Sequence, residues 1–263
     1  MTYQHEWEKG DLIRIGLGAV DNYSFVHKFG EALINTDLVP VCFGTAYRTP
    51  TAPQTLVCKS SNSADTSTGL GGREITIEYL DSNFYPQIGT MALNGTAESV
   101  DTIPDVMRVY RYWLSKSGNY ANQTQASHFG EIQLTGSGGG QLWAIMPELV
   151  SSFGAGQSLI GCYTVPAGHT AYILSQKMTV DSNKATDFYF FKRSNIEETT
   201  APFTGTMRVQ NTDIGVKEPV DREHKTIESF SEKTDIGYLA KGGASGYCSV
   251  DFELLLVATT PPD

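Results

Sequence analysis

The histidines are the first side chains in this sequence that could bind a metal ion or transfer protons. The chain has five of them, namely His5, His27, His128, His169 and His224. Zinc sites commonly place two histidines a few positions apart so that both imidazoles reach one ion, and no pair here has that spacing. We therefore predict no metal site and interpret each histidine as a surface or hydrogen-bonded residue. For His128 and His169 a position at a loop surface is expected.

Two further kinds of chemistry would need a pair of acids or an activated serine. Glycosidases use two carboxylates at a fixed separation, and Glu197 with Glu198 or Asp101 with Asp105 are candidates, although exposed loop acids explain these pairs better. The segment Gly242–Gly246 places its serine one position away from the Gly-x-Ser-x-Gly nucleophile motif. We predict that the chain is not an enzyme, has no catalytic residues and needs no cofactor.

Two loops match ligand-binding motifs only in part. Gly69–Gly72 is rich in glycine, but it leads into a predicted strand and lacks the lysine of a phosphate-binding loop. Asp181–Lys184 lacks the central glycine and the terminal glutamate of a calcium-binding loop. Both segments are therefore predicted to be turns.

The overall charge excludes some classes of partner. The 29 acidic residues against 19 lysines and arginines give a formal net charge of -10. Nucleic acids and anionic membranes attract clustered basic side chains, so we expect neither as a partner. The segment Arg108–Trp113 alternates basic and aromatic residues and could stack single-stranded bases, but the acidic chain favours a core or a protein interface for these rings.

Targeting signals and cysteines indicate the compartment. No run of about 18 apolar residues is present, and the N-terminus lacks the charged and then apolar pattern of a signal peptide. We therefore expect cytoplasmic synthesis without secretion. The cysteines are predicted to be small buried core residues, with a disulfide between Cys42 and Cys58 as the alternative; they are Cys42, Cys58, Cys162 and Cys248.

The composition predicts an all-β fold. The 26 glycines, the 11% aromatic content and the many short alternating runs are typical of an antiparallel β-sandwich of the jelly-roll type, here in two β-rich halves. We predict a boundary at Gly136–Gly140. The expected parts are an N-terminal arm at 1–11, an N-terminal β-rich domain at 12–135, a glycine-rich linker at 136–141, a C-terminal sandwich at 142–257 and a tail at 258–263.

Alternation of apolar and polar residues predicts the individual strands. In the first half they span residues 12–20, 39–43, 55–57, 73–80, 88–93, 107–114 and 131–134. In the second half they span residues 142–146, 159–165, 170–180, 186–192, 206–209, 226–230, 234–239 and 247–257. Helix is expected only as a turn or two near 26–33.

Three groups of segments together resemble β-rich virion proteins of tailed bacteriophages. They are residues 60–81 with 93–96, residues 163–172 with 181–192, and residues 234–236 with 249–255. The resemblance implies a structural part of the virus particle. From it we infer a capsid decoration (cement) protein on the capsid surface, made in the host cytoplasm and bound to the major capsid protein. Homotrimers or other homo-oligomers are the expected assembly, because threefold lattice points favour trimers.

Two alternatives stay open at this point. A tail-associated or receptor-binding virion protein would bind a host glycan through exposed rings of its C-terminal sandwich, with Trp143 or Tyr238 as candidates. A glycan-degrading enzyme would need two carboxylates in one cleft. The polar residues 1–11 are predicted to form an arm that becomes ordered on a partner.

Overall fold

The computed structural model describes residues 9–120, 126–148, 156–181, 184–223, 227–243 and 245–259. In these ranges the chain forms strands joined by turns and a single eight-residue helix, α1 at Lys9–Gly16. The strands pair in antiparallel fashion throughout. The prediction of an all-β, antiparallel, sandwich-like fold is confirmed.

The strands are numbered in chain order. They are β1 Tyr23–Ile34, β2 Val39–Pro40, β3 Gln54–Ser60, β4 Gly72–Leu80, β5 Pro86–Ala92, β6 Ile103–Val106, β7 Arg108–Ser117, β8 Ile132–Gly136 and β9 Leu142–Met146. They continue as β10 Cys162–Thr164, β11 His169–Val180, β12 Thr186–Arg193, β13 Arg208–Val216, β14 Val220–Glu223, β15 Ser229–Phe230, β16 Asp235–Gly242 and β17 Gly246–Ala258.

The larger sandwich has the strand order of a jelly roll. One sheet runs β1-β17-β11-β14 and the facing sheet runs β10-β16-β12-β13, with the short strands β15 and β2 added to β11 and β16. Its eight main strands are, in chain order, β1, β10, β11, β12, β13, β14, β16 and β17. In this order the first pairs with the eighth, the second with the seventh, the third with the sixth and the fourth with the fifth. This is one long antiparallel hairpin wound around a common core, the winding of a jelly roll.

Aromatic rings fill the space between these two sheets. Phe190 and Tyr238 project from one sheet and Phe252 from the other, and the ring centroid of Phe190 lies 5.1 Å from that of Tyr238 and 6.3 Å from that of Phe252. These rings are at most 2% exposed. Alternating strand positions place one such ring every second residue on the core side, which is why β12, β16 and β17 read as half-apolar strands in the sequence.

The second sandwich is an insertion between β2 and β10. Its sheets run β6-β3-β8-β9 and β5-β4-β7, and their facing side chains form a separate core around Leu56, Ile75, Ile77, Tyr112 and Leu134. The alternation predicted at residues 73–80 is borne out in β4, where Ile75 and Ile77 are fully buried.

The strand pairing does not follow the predicted division into consecutive halves at 12–135 and 142–257. Strand β1 pairs along its whole length with β17 near the other end of the chain, from Tyr23 opposite Val257 to Ile34 opposite Gly246. The first strand therefore belongs to the jelly roll, and the sequence between β2 and β10 supplies the inserted sandwich. Pairing partners more than 200 residues apart leave no local signal, so composition alone placed the boundary elsewhere.

The glycine-rich segment 136–141 is a hairpin turn and not a linker. It joins β8 to β9, which pair directly, and it closes with backbone hydrogen bonds from Gly136 N to Gln141 O and from Gly140 N to Gly136 O. Gly138 and Gly139 have φ of 70° and 78°, in the left-handed region where glycine is preferred. The glycines therefore serve the turn geometry.

Two predictions near the N-terminus are wrong, because the structure has a strand where a helix was expected and a helix where a strand was expected. Residues 26–33, expected to be helical, lie in β1, where Val26, Lys28 and Ala32 point inward between outward-pointing neighbours. Residues 12–20, expected to be a strand, contain most of α1, which buries Ile15. The helix also takes up Lys9–Asp11 of the predicted arm, while residues 1–8 lie outside the described part.

Most of the remaining strands agree with the prediction within a few residues, but the strand predicted at 206–209 covers only the start of β13, which extends to Val216. The strand predicted at 142–146 coincides with β9, and those predicted at 170–180 and 186–192 become β11 and β12. Strands β6 and β14 were not predicted. The predicted tail at 258–263 begins inside β17, which includes Ala258, and residues 260–263 lie outside the described part.

Candidate binding surfaces and buried polar sites

The described histidines are separate from one another. His27 is exposed and its Nε2 lies 2.9 Å from Asp251 Oδ1. His169 is partly buried, with Nδ1 3.0 Å from Ala167 O. His128, for which a loop surface was expected, is fully buried beside Pro147 O, and burial lowers its pKa. His5 and His224 lie outside the described residues.

A buried carboxylate explains the loop that was compared with a phosphate-binding loop. Asp65 is fully buried and accepts hydrogen bonds from Gly72 N at 2.7 Å, Gly130 N at 2.9 Å and Ser60 Oγ at 2.6 Å. A Cβ at Gly71 would approach Asp65 Oδ1 to 2.0 Å, so only glycine leaves room for the carboxylate. The loop already surrounds an anion of its own, which makes phosphate binding there unfavourable.

The acidic candidates for glycoside cleavage serve turns. Glu198 accepts hydrogen bonds from Thr204 N and Gly205 N, and Asp105 accepts one from Ser82 Oγ at 3.0 Å. Asp101 accepts one from Ala92 N at 3.3 Å. Asp181 likewise bonds the backbone at Tyr247 N. In the described ranges, no group of three or more His, Cys, Asp or Glu side chains is arranged to hold a metal ion.

The cysteines are buried free thiols, as the sequence predicts, and the alternative disulfide between Cys42 and Cys58 is not formed. Cys42 instead lies with its Sγ 3.9 Å from the Sγ of Cys162. Burial raises the pKa of Cys58 to about 12 and that of Cys248 to about 12 as well. These thiols are therefore poor nucleophiles, because the thiolate is the reactive form.

The aromatic candidates for base or glycan stacking belong to the cores. Trp143 is 5% exposed and Tyr238 is fully buried, so neither presents its ring as the glycan-binding alternative requires. Along β7, Tyr112 is buried and donates from its Oη to Ile132 O, while Arg111 lies over the ring of Trp113. The expectation that the rings of Arg108–Trp113 serve a core is met by Tyr110 and Tyr112.

A buried charge network joins the two sandwiches. Asp235 of β16 is bonded to Arg108 of β7 through Nε at 3.0 Å and Nη2 at 3.2 Å, and both side chains are 1% exposed. Arg193 and Thr164 add bonds of 2.6 Å each to the same carboxylate. Burial alone would raise the pKa of Asp235, but the two guanidinium groups hold it below its usual value. No pattern in the sequence indicates this pairing.

Stacked tyrosines extend the same junction. The rings of Tyr110 in β7 and Tyr163 in β10 are stacked with centroids 4.5 Å apart, and the Oη of Tyr110 donates to Thr164 O at 2.6 Å. Because one ring comes from each sandwich, this contact and the charge network hold the two units in one orientation. The two-sandwich body can therefore present its surfaces in fixed relation to one another.

The outer face of β1 carries a row of exposed apolar side chains. Phe25, Phe29 and Leu33 are 38%, 37% and 49% exposed and alternate with His27 and Glu31. Next to Leu33 across the sheet lies Tyr247, which is 44% exposed. No described strand pairs with the other edge of β1, so a row of apolar side chains and an unpaired strand edge occur together. This combination is a ready surface for another protein.

Comparisons with known proteins assign no family. No protein-family model matches the chain and no curated protein matches it. A solved structure of the infectious bursal disease virus Gx strain is similar at 10% identity, covering 91% of this chain and 73% of that chain with a TM-score of 0.26. The Gt strain of this virus aligns at 10% identity over 91% of this chain and 80% of that chain, with a TM-score of 0.12. Such loose superpositions assign neither a fold family nor a function.

T=1 particles derived from the same virus align at 9% identity, covering 92% of this chain and 79% of that chain with a TM-score of 0.11. Among the described residues, no helix is long and apolar enough to cross a membrane.

Proposed function

We propose that the chain is a structural protein of a virus particle, and specifically a decoration protein that binds the shell formed by the major capsid protein. The turn-and-strand segments that resemble virion proteins of tailed bacteriophages are one support. The jelly-roll winding of the larger sandwich is another, because this architecture recurs in viral capsid domains. The jelly-roll support is an analogy of fold, and one fold hosts many functions.

The observation that carries the proposal is the outer face of β1. A decoration protein must attach through a surface that is apolar enough to bind and rigid enough to fit a repeating lattice. Phe25, Phe29 and Leu33 provide such a row, and the unpaired edge of β1 can accept an additional strand from a partner. The partner's surface would gain from carrying basic residues, because the chain has a net charge of -10.

Co-sedimentation with assembled shells tests the proposal. Purified protein is mixed with empty shells of the major capsid protein, and the bound fraction is measured after pelleting. We expect saturable binding by the native protein and a loss of at least about tenfold in affinity for Phe29→Glu, because a charge then replaces a ring at the centre of the apolar row. Electron microscopy of the decorated shells should place the density on the capsid surface.

Leu70→Glu is the matched control. Leu70 is 72% exposed on a loop of the inserted sandwich, so this variant adds the same charge to an apolar surface position away from β1. It should bind shells like the native protein. Absence of binding by the native protein, or density confined to the tail of the virus, would contradict the proposed role.

A further inference from the structure

A cavity of about 520 Å³ opens where the edge of the jelly roll meets the inserted sandwich. The jelly roll contributes the first part of β1 and Pro166 in the turn between β10 and β11. The insertion contributes β5 and the middle of β7. Its volume is in the range of pockets that bind small organic molecules, about 300–1,000 Å³. Apolar walls come from Phe25, Ile88, Pro166 and Leu256, beside the stacked rings of Tyr110 and Tyr163.

A buried ammonium group lies at the wall of this cavity. Lys28 is 4% exposed and its Nζ donates to the backbone oxygen of Tyr110. A lysine has three donors, and in the described residues no carboxylate lies within ion-pair distance of this one. Burial lowers the pKa of Lys28 to about 8. A buried cation without a counter-ion is costly, and an anionic ligand in the cavity would offset that cost.

The other charged groups of the cavity already have partners. The Nε of Arg111 lies 3.1 Å from Glu78 Oε2, and His27 is paired with Asp251 outside the cavity. His169 is bonded through Nδ1 to Ala167 O. Among the described residues, Lys28 is therefore the charged group of the cavity that has no ion-pair partner.

The surroundings favour a carboxylate over a phosphate. Glu78 and Arg111 offset each other as an ion pair, so Lys28 is the one uncompensated lysine or arginine among the residues that line the cavity. Its single charge balances a monoanion, whereas a phosphate dianion would leave one negative charge unbalanced. The apolar walls require that the rest of the ligand be hydrocarbon or aromatic in character.

We propose that this cavity binds the carboxylate of an apolar acid, with Lys28 as its ion-pair partner and the walls around Ile88 and Tyr163 in contact with its apolar body. The acid can be a free organic molecule or a glutamate or aspartate side chain flanked by apolar residues in a partner protein. This site adjoins the proposed attachment surface, because Phe25 belongs to both. The two sites differ at their centres, since Lys28 faces inward from β1 while Phe29 faces outward.

Isothermal titration calorimetry with defined probes tests the site. The probes are hydrocinnamate, its neutral amide, inorganic phosphate, and a capped peptide with one glutamate flanked by valines. We expect binding of hydrocinnamate but not of the amide or phosphate, and a loss of at least about tenfold for Lys28→Met, which removes the ammonium and keeps an unbranched apolar side chain one atom shorter. The matched control is Lys116→Met, because Lys116 is a 67% exposed lysine on β7, away from the cavity.

A readout on the native protein does not depend on the folding of a variant. Besides burial, four neighbouring groups influence the pKa of Lys28. They are the thiols of Cys42 and Cys162, the guanidinium of Arg111 and the carboxylate of Glu78. Only the protonated amine binds a carboxylate, so the affinity should fall at least about tenfold between pH 7.5 and pH 10.

Each outcome decides a point. Tighter binding of the peptide than of hydrocinnamate identifies a partner's side chain as the source, and binding of hydrocinnamate alone identifies a free acid. The proposal is overturned if neither binds, if phosphate or the amide binds as well as the acid, or if Lys28→Met and pH 10 leave the affinity unchanged. None of these results bears on attachment to capsid shells.

Discussion

Arg108 and Asp235 form a bidentate ion pair in which both side chains are 1% exposed and the two residues come from different sandwiches. Neither unit could bury its charged residue alone at acceptable cost, because an unpaired buried charge is strongly unfavourable. The pair therefore makes the stability of each sandwich depend on the other. Arg193, 26% exposed, approaches the same carboxylate from the solvent side.

Replacement of Asp235 should destabilise the whole chain. In Asp235→Asn the guanidinium of Arg108 keeps its buried position without a counter-ion, and we expect a loss of about 3–5 kcal/mol in the free energy of unfolding. Urea denaturation followed by tryptophan fluorescence measures it. The double variant Arg108→Met/Asp235→Asn should recover much of the loss. Asp251→Asn, at an exposed ion pair with His27, should change stability by less than about 1 kcal/mol.

A second prediction concerns the carboxylate of Asp65. Its two oxygens accept hydrogen bonds from four donors, including the backbone N–H groups of Phe129 and Gly130, and an amide offers only one accepting oxygen. Asp65→Asn should cost about 2–3 kcal/mol of stability, and hydrogen exchange at Gly72 and Gly130 should accelerate. Asp81→Asn is the control, because Asp81 bonds similar backbone groups at an exposed turn. Equal protection of Gly72 and Gly130 in Asp65→Asn and the native protein would argue against this role.

The close approach of β1 to the facing segments gives a third prediction. A Cβ at Gly30 would lie 2.1 Å from Gly161 N and 2.3 Å from Val41 O, both backbone atoms that cannot rotate away. Gly30→Ala should therefore lower the free energy of unfolding by about 1–3 kcal/mol. Gly16→Ala is the opposite case, because Gly16 ends α1 with open space around its Cα, and it should be neutral or stabilising by up to about 1 kcal/mol. A native-like melting temperature for Gly30→Ala would show that the strands can separate there.

The fold class followed from patterns that act over a few residues. Alternation predicted β4 because Ile75 and Ile77 face a core within one strand, and it predicted the strand at 142–146 that coincides with β9. Residues 26–33 were misassigned because Lys28 and Gly30 lie at inward positions where an apolar residue is expected. Lys28 lines the cavity, and Gly30 lets β1 approach Gly161 closely. Neither circumstance is visible in the sequence.

The polar sites were missed for a related reason. Asp235 is 127 residues from Arg108 along the chain, and Asp65 meets Phe129 and Gly130 only after β3 and β8 have paired. A lone aspartate in a predicted loop is ordinarily exposed, so burial could not be expected for either one. The all-β architecture is thus encoded locally, while the contacts that join the sandwiches depend on the topology.

Lys28 provides the last prediction, which concerns stability as a function of pH. The ammonium has a folded-state pKa of about 8 against 10.5 for an ordinary lysine, and burial is the main cause. Below pH 8 the folded chain carries a buried charge that costs roughly 3 kcal/mol. Between pH 8 and 10.5 the unfolded chain holds more protons than the folded one, so this cost is relieved as the pH rises.

Lys28→Met should therefore be more stable than the native protein at pH 7, by about 1–3 kcal/mol after loss of the bond to Tyr110 O is counted. The difference should shrink steadily from pH 8 to 10.5, because the amine is then neutral in the folded chain while the unfolded chain gives up its extra proton only near pH 10.5. Urea denaturation of both proteins at several pH values measures it, and Lys116→Met should follow the native curve. If the difference in the free energy of unfolding between the two proteins stays constant from pH 7 to pH 10, Lys28 does not titrate in this window. Groups of the protein itself would then balance its charge.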